Sequence, residues 1–373
     1  MKAKILGLIL SCSLLLTGCS WMDGSYVHVT PHRERDDETR FDSVSVSNYE
    51  ELKDVMEDVV KGGSADAVIY ISDYEPNAVS NSMYAVTRYI TGEFPVGAYA
   101  VETMDYEIGT SSGKPAIAVE ITYRHSPVEI QQIRSAADVE QAATLVGWAL
   151  KNVDAGVVLQ IDAYEPADFS QIVHDFAQNN PQSVMEVPQV TQGVYGIGKS
   201  RVVELTFTYQ TSREALRQMQ EQVGSVFEAA ELYVSADSSE YQKYTHLYSF
   251  LMDRFDYRLG TSITPSYSLL HHGVGDSRAF AVTYAAMCRN ADLDCRIVTG
   301  TRNGEPWTWN MIREGESYYH VDLLRCSETG SYQLQTDAQM EGYIWDYSAY
   351  PVCAGAPAKE AADDAAPGEA EAP

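Results

Sequence analysis

Two long stretches of this chain carry the same pattern, and that repetition narrows the folds open to it. The first runs YEELKDVMEDVVKGG, AVIYISDYEPNAVSNSMYAVTRYI, GAYAVETMDYEIG and AIAVEITYRHSPVEI. The second runs DVEQAATLVGWALKN, GVVLQIDAYEPADFSQIVHDFAQ, VMEVPQVTQGVYGIG and RVVELTFTYQTSREAL. Tyr74-Glu75-Pro76 matches Tyr164-Glu165-Pro166, and Thr122-Tyr123 matches Thr208-Tyr209, so equivalent positions lie 86 to 90 residues apart. That spacing exceeds the period of solenoid repeats and points to two copies of one small domain. In each copy the apolar spacing predicts helix, strand, helix, strand, strand, an α+β layer with helices on one face of a small sheet. Proline in Tyr-Glu-Pro ends a strand and suits the first turn of the next helix, while the tyrosine-bearing loops also suit peptide or glycan binding. GVYGIGKS fits the turn of a hairpin and not a strand-to-helix phosphate cradle.

After the copies, Ser212 to Leu232 is expected to be helical, and Ser238 to Phe255 forms an amphipathic helix begun by Asp237 or Ser238 with Glu240 in its first turn. From His271 the chain reads HHGVGDSRAFAVTYAAMCRNADLDCRIVTG, then EPWTWNMIREGESYYHVDLLRC from Glu305. Asp276 or Ser277 is a natural N-cap, so a helix starts at Ser277. Three β-rich runs follow, Cys295 to Gly300, Trp307 to Ile312 and Tyr318 to Leu323, and GYIWDYSAYPVC adds an aromatic strand.

These residues resemble the transglutaminase-like (papain-like) domains of bacteria. Members place a nucleophilic Cys at the helix start, a base His at H-A-W-N on the second strand, and an orienting Asp at Y-H-V-D on the third. This frame stands here as GDSRAFA, MCRNADLDCRIVTG, WTWN and YYHVDLL, and the helix before DYRLG extends the resemblance over Ser238 to Cys353. The three family positions fall on Ser277, Trp307 and Asp322. A thiol at a helix N-terminus is activated by unpaired N–H groups and an imidazole. A serine hydroxyl needs a positioned base, and an indole has no basic lone pair to offer. The resemblance therefore implies a retained fold with a degenerate triad. Ser277 is expected to act as a helix cap or first-turn residue, Trp307 as a plug or recognition aromatic, and Asp322 as a bonding partner for backbone or for the Trp307 indole.

The alternative is a reassigned hydrolase using Ser277 with His320, or with His271 or His272 from the preceding loop. Cys288 lies about three turns into the helix, far from its terminal field, and is expected to be inert or disulfide-bonded. His271, His272, Asp276 and Asp322 show no ligand spacing, so neither a metal nor another cofactor is expected.

The N-terminus has Lys2 and Lys4 before the apolar run Ile5 to Leu16, too short to span a bilayer. Leu16-Thr17-Gly18-Cys19 is similar to a bacterial lipobox, which implies lipidation at Cys19 and tethering to the outer face of a membrane. The expected organisation is a signal peptide over 1–18, a polar tether over 19–43, the two copies over 44–134 and 135–219, the transglutaminase-like domain with its leading helices over 220–353, and an acidic low-complexity tail over 354–373.

A formal charge of −27 argues against nucleic acid and against adhesion to anionic lipid heads. With Cys12 removed in the signal and Cys19 lipidated, Cys288, Cys295, Cys326 and Cys353 remain. In an exported chain they permit two disulfides in three connectivities, of which Cys326 with Cys353 is preferred. The expected work is non-catalytic, binding or scaffolding a peptide, cell-wall or envelope partner. A purely structural spacer is the remaining reading.

Overall fold

A computed structural model describes residues 41–72, 74–258 and 265–355. The expected signal peptide, Cys19, the expected tether up to residue 40 and the expected tail from residue 356 lie outside the described residues. The fold is mixed α+β. Its first part is β1 (Phe41–Val46), α1 (Tyr49–Lys61), β2 (Asp66–Ile71), α2 (Pro76–Arg88), α3 (Pro95–Ala100), β3 (Val101–Ser111), β4 (Lys114–Tyr123) and α4 (Pro127–Gln131). Next come β5 (Arg134–Asp138), α5 (Val139–Lys151), β6 (Gly156–Ala163), α6 (Phe169–Asn179), β7 (Gln189–Tyr195) and β8 (Arg201–Thr208).

The two sheets have the same order, β1-β2-β4-β3 and β5-β6-β8-β7. In both, the leading strand runs parallel to its neighbour and the other pairs are antiparallel. The helices share their causes too. Asn48 accepts the amide of Glu51 at the start of α1 and Asp138 that of Gln141 at the start of α5, each cap contributing about 1 kcal/mol. Leu52, Met56, Val59 and Val60 bury one face of α1, and Ala142, Val146, Ala149 and Leu150 the corresponding face of α5, 90 positions on.

Three expectations need correction. Each layer opens with a strand before its first helix, and β1 (Phe41–Val46) begins in the last three residues of the expected tether; short runs such as SVSV and RSAAD carry too little periodicity to announce themselves. Pro76 does begin α2, but in the second layer α6 starts only at Phe169, capped by Asp168, and Pro166 stays in the loop. GAYA, expected to open a strand, instead closes α3, whose first-turn Pro95 presets the helical φ.

The remainder consists of α7 (Arg213–Leu232), α8 (Glu240–Met252), β9 (Asp256–Tyr257), α9 (Pro265–His272), β10 (Val274–Gly275), α10 (Ser277–Asn290), β11 (Cys295–Arg302), β12 (Glu305–Glu314), β13 (Ser317–Val321), α11 (Leu323–Thr329) and β14 (Tyr343–Trp345). Ser212 caps α7, and Ser239, one residue beyond the expected position, caps α8 through a box with Gln242. β11 to β14 form an antiparallel sheet of order β13-β12-β11-β14. One face of that sheet packs on α10, whose side is buried from Ala279 to Cys288, while Phe280, Tyr284 and Tyr244 fill the core against α8. The other face carries Val298, Trp309, Met311, Tyr343 and Trp345. Asn310 clamps helix to sheet by donating to the Ala281 carbonyl at 2.9 Å.

The second layer leans on this core: Arg278 reaches His174, Arg289 donates to the Asn179 carbonyl, and Arg213 pairs with Asp154 at 2.9 Å. No helix among the described residues is long and apolar enough to cross a membrane.

Gly300 sits between two partners, opposite Trp307 on β12 and Trp345 on β14, and a Cβ there would run into the Ile344 carbonyl oxygen. Gly300→Ala is expected to cost about 1–3 kcal/mol and to loosen β14. Urea unfolding followed by tryptophan fluorescence checks this, and an unchanged midpoint would mean β14 yields freely.

Candidate functional site

α10 begins where Asp276, as N-cap, accepts the Ala279 amide at 2.9 Å. Ser277 is therefore the first helical residue, the position where a thiolate would feel the terminal N–H groups. Its side chain is buried, and its Oγ accepts the Thr308 backbone N–H at 3.3 Å. The helix start thus rests on β12 at the WTWN run, and the three family positions are brought together.

Asp322 follows β13 and is the hub of the group. It is 2 % exposed and spends both oxygens. Oδ1 caps α11 by accepting the amides of Leu324 and Arg325 at 3.1 and 3.3 Å. Oδ2 accepts the Trp307 indole N–H at 2.8 Å and the Tyr343 hydroxyl at 2.6 Å. The Arg302 guanidinium lies 3.7 Å from the same oxygen and also pairs with Glu328 at 2.7 Å. Four donors and a cation offset the cost of burying this charge. Burial and the neighbouring carboxylate push the Tyr343 phenol up, so it remains a donor. α11, not foreseen in the sequence, exists because YHVD ends in this cap.

Trp307 occupies the position of the family's imidazole as a filled space. Arg302 lies 5.2 Å over its ring and Tyr257 packs at 5.8 Å. An indole N–H aimed at a carboxylate donates a hydrogen bond and withdraws no proton from Ser277.

His320 is engaged elsewhere. The Trp309 indole donates to its Nδ1 at 3.0 Å, so the proton of the neutral ring sits on Nε2, which meets Asp337 Oδ1 at 2.9 Å. Burial lowers the pKa of this imidazole while the Asp337 bond opposes the shift. Both nitrogens are thereby spent on the sheet face turned away from α10, the face of Trp309 and Met311, and the alternative pairing of Ser277 with His320 is not made. His271 and His272 end α9 exposed, with rings packed on each other at 4.8 Å and on Tyr267 at 4.9 and 5.7 Å.

The one group among the described residues with convergent metal-type atoms is His320, Asp337 and Cys353, within 4.8 Å of one another. It does not fit a cation well. A metal on Nε2 would displace the proton given to Asp337 while Nδ1 still accepts from Trp309, leaving the ring with no proton at all.

The preferred bridge between Cys326 and Cys353 is absent: all four cysteines are free and buried. Cys326 packs in the helix-side core and accepts the Gln333 amide at 3.3 Å, whereas Cys353 belongs to the cluster on the other sheet face. Burial raises Cys326 to about 11 and Cys353 to about 12, and sends Cys288 well above the ordinary thiol range. None is a ready nucleophile. The sequence reading missed Arg302, Tyr343, Trp309 and Asp337; the dense aromatics of WTW and YIWDY were the available signal.

Residues 208–345 match the family model of the transglutaminase-like superfamily. This part of the chain is a transglutaminase-like domain. The match starts earlier than the resemblance read from Ser238 and takes in α7. No curated protein matches the chain in sequence. Similar solved structures include a transglutaminase at 10 % identity, covering 58 % of this chain and 63 % of that one with a TM-score of 0.26. A candidate cysteine protease from Cytophaga hutchinsonii matches at 14 % identity over 39 % of this chain and 65 % of that one, with a TM-score of 0.24. A candidate protease from Parabacteroides distasonis matches at 8 % identity over 68 % and 39 %, with a TM-score of 0.23. The chain spans less than two thirds of the length of each.

Because the pKa of His320 is depressed by folding, the unfolded chain binds its proton more readily. This histidine's contribution is complete above the ordinary value of 6.5 and is lost as pH falls below it toward the folded value. His320→Gln is expected to cost about 1–3 kcal/mol at pH 7.5, and less at pH 5. Urea midpoints of both proteins at the two pH values decide it; a gap that widens on acidification reverses the sign.

Proposed function

We propose that the chain is an extracytoplasmic lipoprotein, held to a membrane through lipid on Cys19, whose transglutaminase-like domain binds or scaffolds a peptide, cell-wall or envelope partner without performing the family's thiol chemistry. One observation carries this reading. The Asp322 carboxylate that would orient a base is consumed by Trp307, Tyr343 and two backbone amides, and the hydroxyl of Ser277 accepts a backbone N–H and, among the described residues, bonds to no imidazole. In a protease triad, loss of nucleophile or base alone costs on the order of 10⁶ in turnover. Here both positions differ from the family pattern.

The charge of −27 supports partners that are neither nucleic acid nor anionic lipid heads. The LTGC motif after an apolar run supports the anchor. A hydrolase built on Ser277 and His320 is disfavoured by the engagement of both ring nitrogens with Trp309 and Asp337.

Exposure of the chain to a fluorophosphonate and to a thiol-directed probe should leave Ser277 unlabelled. The double variant Ser277→Cys with Trp307→His should gain thiol labelling at position 277. Labelling of the unmodified protein at Ser277, abolished in Ser277→Ala, would establish a serine hydrolase and end the non-catalytic reading. Metabolic labelling with a fatty acid, lost in Cys19→Ala, tests the anchor separately.

A further inference from the structure

The two α+β layers differ at one place where their backbones correspond. In the first, the groove between α1 and α2 is closed from within: Tyr89 lies across α1, its hydroxyl donating to Glu57 at 2.8 Å while the Lys53 ammonium sits 4.6 Å over its ring. Ninety positions on, Lys53, Glu57 and Tyr89 become Ala143, Gly147 and Asn179. The ring and both groups that held it are gone. What remains between α5 and α6 is a cavity of about 740 Å³ lined by Ala143, Leu145, Gly147, Trp148, Ile172 and Phe176, a size suited to a small ligand or one large side chain with its backbone.

Its walls are prepared for a ring. Trp148 is 53 % exposed, where its counterpart in the first layer is Asp58. Gly147 lets the Phe176 ring lie against α5, since a Cβ there would strike that ring. Arg134 stacks 4.4 Å over Trp148, and Lys151 lies 5.7 Å over Phe176. The rim also carries Glu140 and Asp175, the latter holding the Gln171 amide at 2.8 Å. Among the described residues, no carboxylate oxygen comes within 4.0 Å of the Arg134 or Lys151 nitrogens. On a chain with 53 acidic and 26 basic residues, a rim where two cations, without ion-pair partners among the described residues, balance two carboxylates is locally neutral against an acidic background.

We propose that the groove between α5 and α6 binds an aromatic residue bearing a free carboxylate, as at the C-terminal end of a peptide. The ring takes the place that Tyr89 fills in the first layer, and the carboxylate meets Arg134 and Lys151. The proposal is independent of whether Ser277 reacts, because the groove lies in the second layer and shares no residue with the Asp322 group.

Saturation-transfer NMR on the full chain with N-acetyltyrosine as probe tests it, with N-acetyltyrosinamide as the uncharged control. Binding is expected in the millimolar range or tighter, with the amide weaker by about tenfold. Asn179→Tyr, which returns the first layer's ring, and Trp148→Asp, which returns its exposed carboxylate, should each weaken binding by about tenfold or more. Arg134→Gln should narrow the gap between acid and amide. Absence of transfer at about 10 mM probe, or transfer undiminished in both Asn179→Tyr and Trp148→Asp, overturns the proposal. Equal affinity for acid and amide overturns the part played by the cations.

Discussion

The Asp322 carboxylate is the interaction on which the C-terminal domain turns. It joins the end of β13 and the start of α11, which meet at this residue, to two side chains brought from a distance, the indole on β12 and the hydroxyl on β14. A buried charge with this many donors is fixed in position, since removing one donor leaves an oxygen unsatisfied in a medium where water cannot replace it. The same saturation that makes Asp322 a structural hub makes it unavailable as the orienting member of a triad. An imidazole at position 307 would have a proton to give this carboxylate and a second nitrogen to take one from the helix start. Trp307 gives its proton and has nothing further to offer.

The same sheet carries a second buried polar chain, from the Trp309 indole through His320 to Asp337, and from Asp337 to the Cys353 backbone N–H at 3.1 Å. Trp307 and Trp309, two residues apart on one strand, therefore do similar work at different places: each donates an indole N–H to a buried acceptor and pins a neighbouring segment to the sheet. Alternation along β12 sends Asn310, and with it the helix clamp, to the other side. His320 looks catalytic in a linear reading because it stands two residues from Asp322. The tautomer fixed by Trp309 shows a ring that completes a core.

Much of this was legible in the sequence. The start of α10 at Ser277, the strands that follow and the bond between Asp322 and the Trp307 indole all come from local signals: a capping residue, β-branched runs and a family frame. The two matching layers were visible because helical periodicity repeats at a constant offset. Illegible were the features that depend on pairing across distance. β1 and β5 are strands because β2 and β6 offer an edge, a property of the partner and not of SVSV or RSAAD themselves. Arg302 and Tyr343 reach Asp322 only once β14 has paired with β11, and no periodicity specifies that register. The Cys326–Cys353 bridge failed for a related reason: parity of count says nothing about which face of a sheet each thiol occupies.

The comparison of the two layers shows how much a fold leaves undecided once its backbone is set. Their caps, buried helical faces and strand orders correspond, so the packing of helix on sheet is satisfied in both. The outer groove is outside that constraint. In the first layer it closes with a tyrosine bonded to a glutamate and covered by a lysine, interactions that rigidify the helix pair at the expense of any space between. In the second, small residues at the same helical positions give up that internal stabilisation and keep an indole at the surface, where it gains little from folding. Stability alone does not favour that exchange. A ring supplied from outside recovers the contacts the chain has surrendered, which is why the open groove reads as a site and the closed one as its structural counterpart.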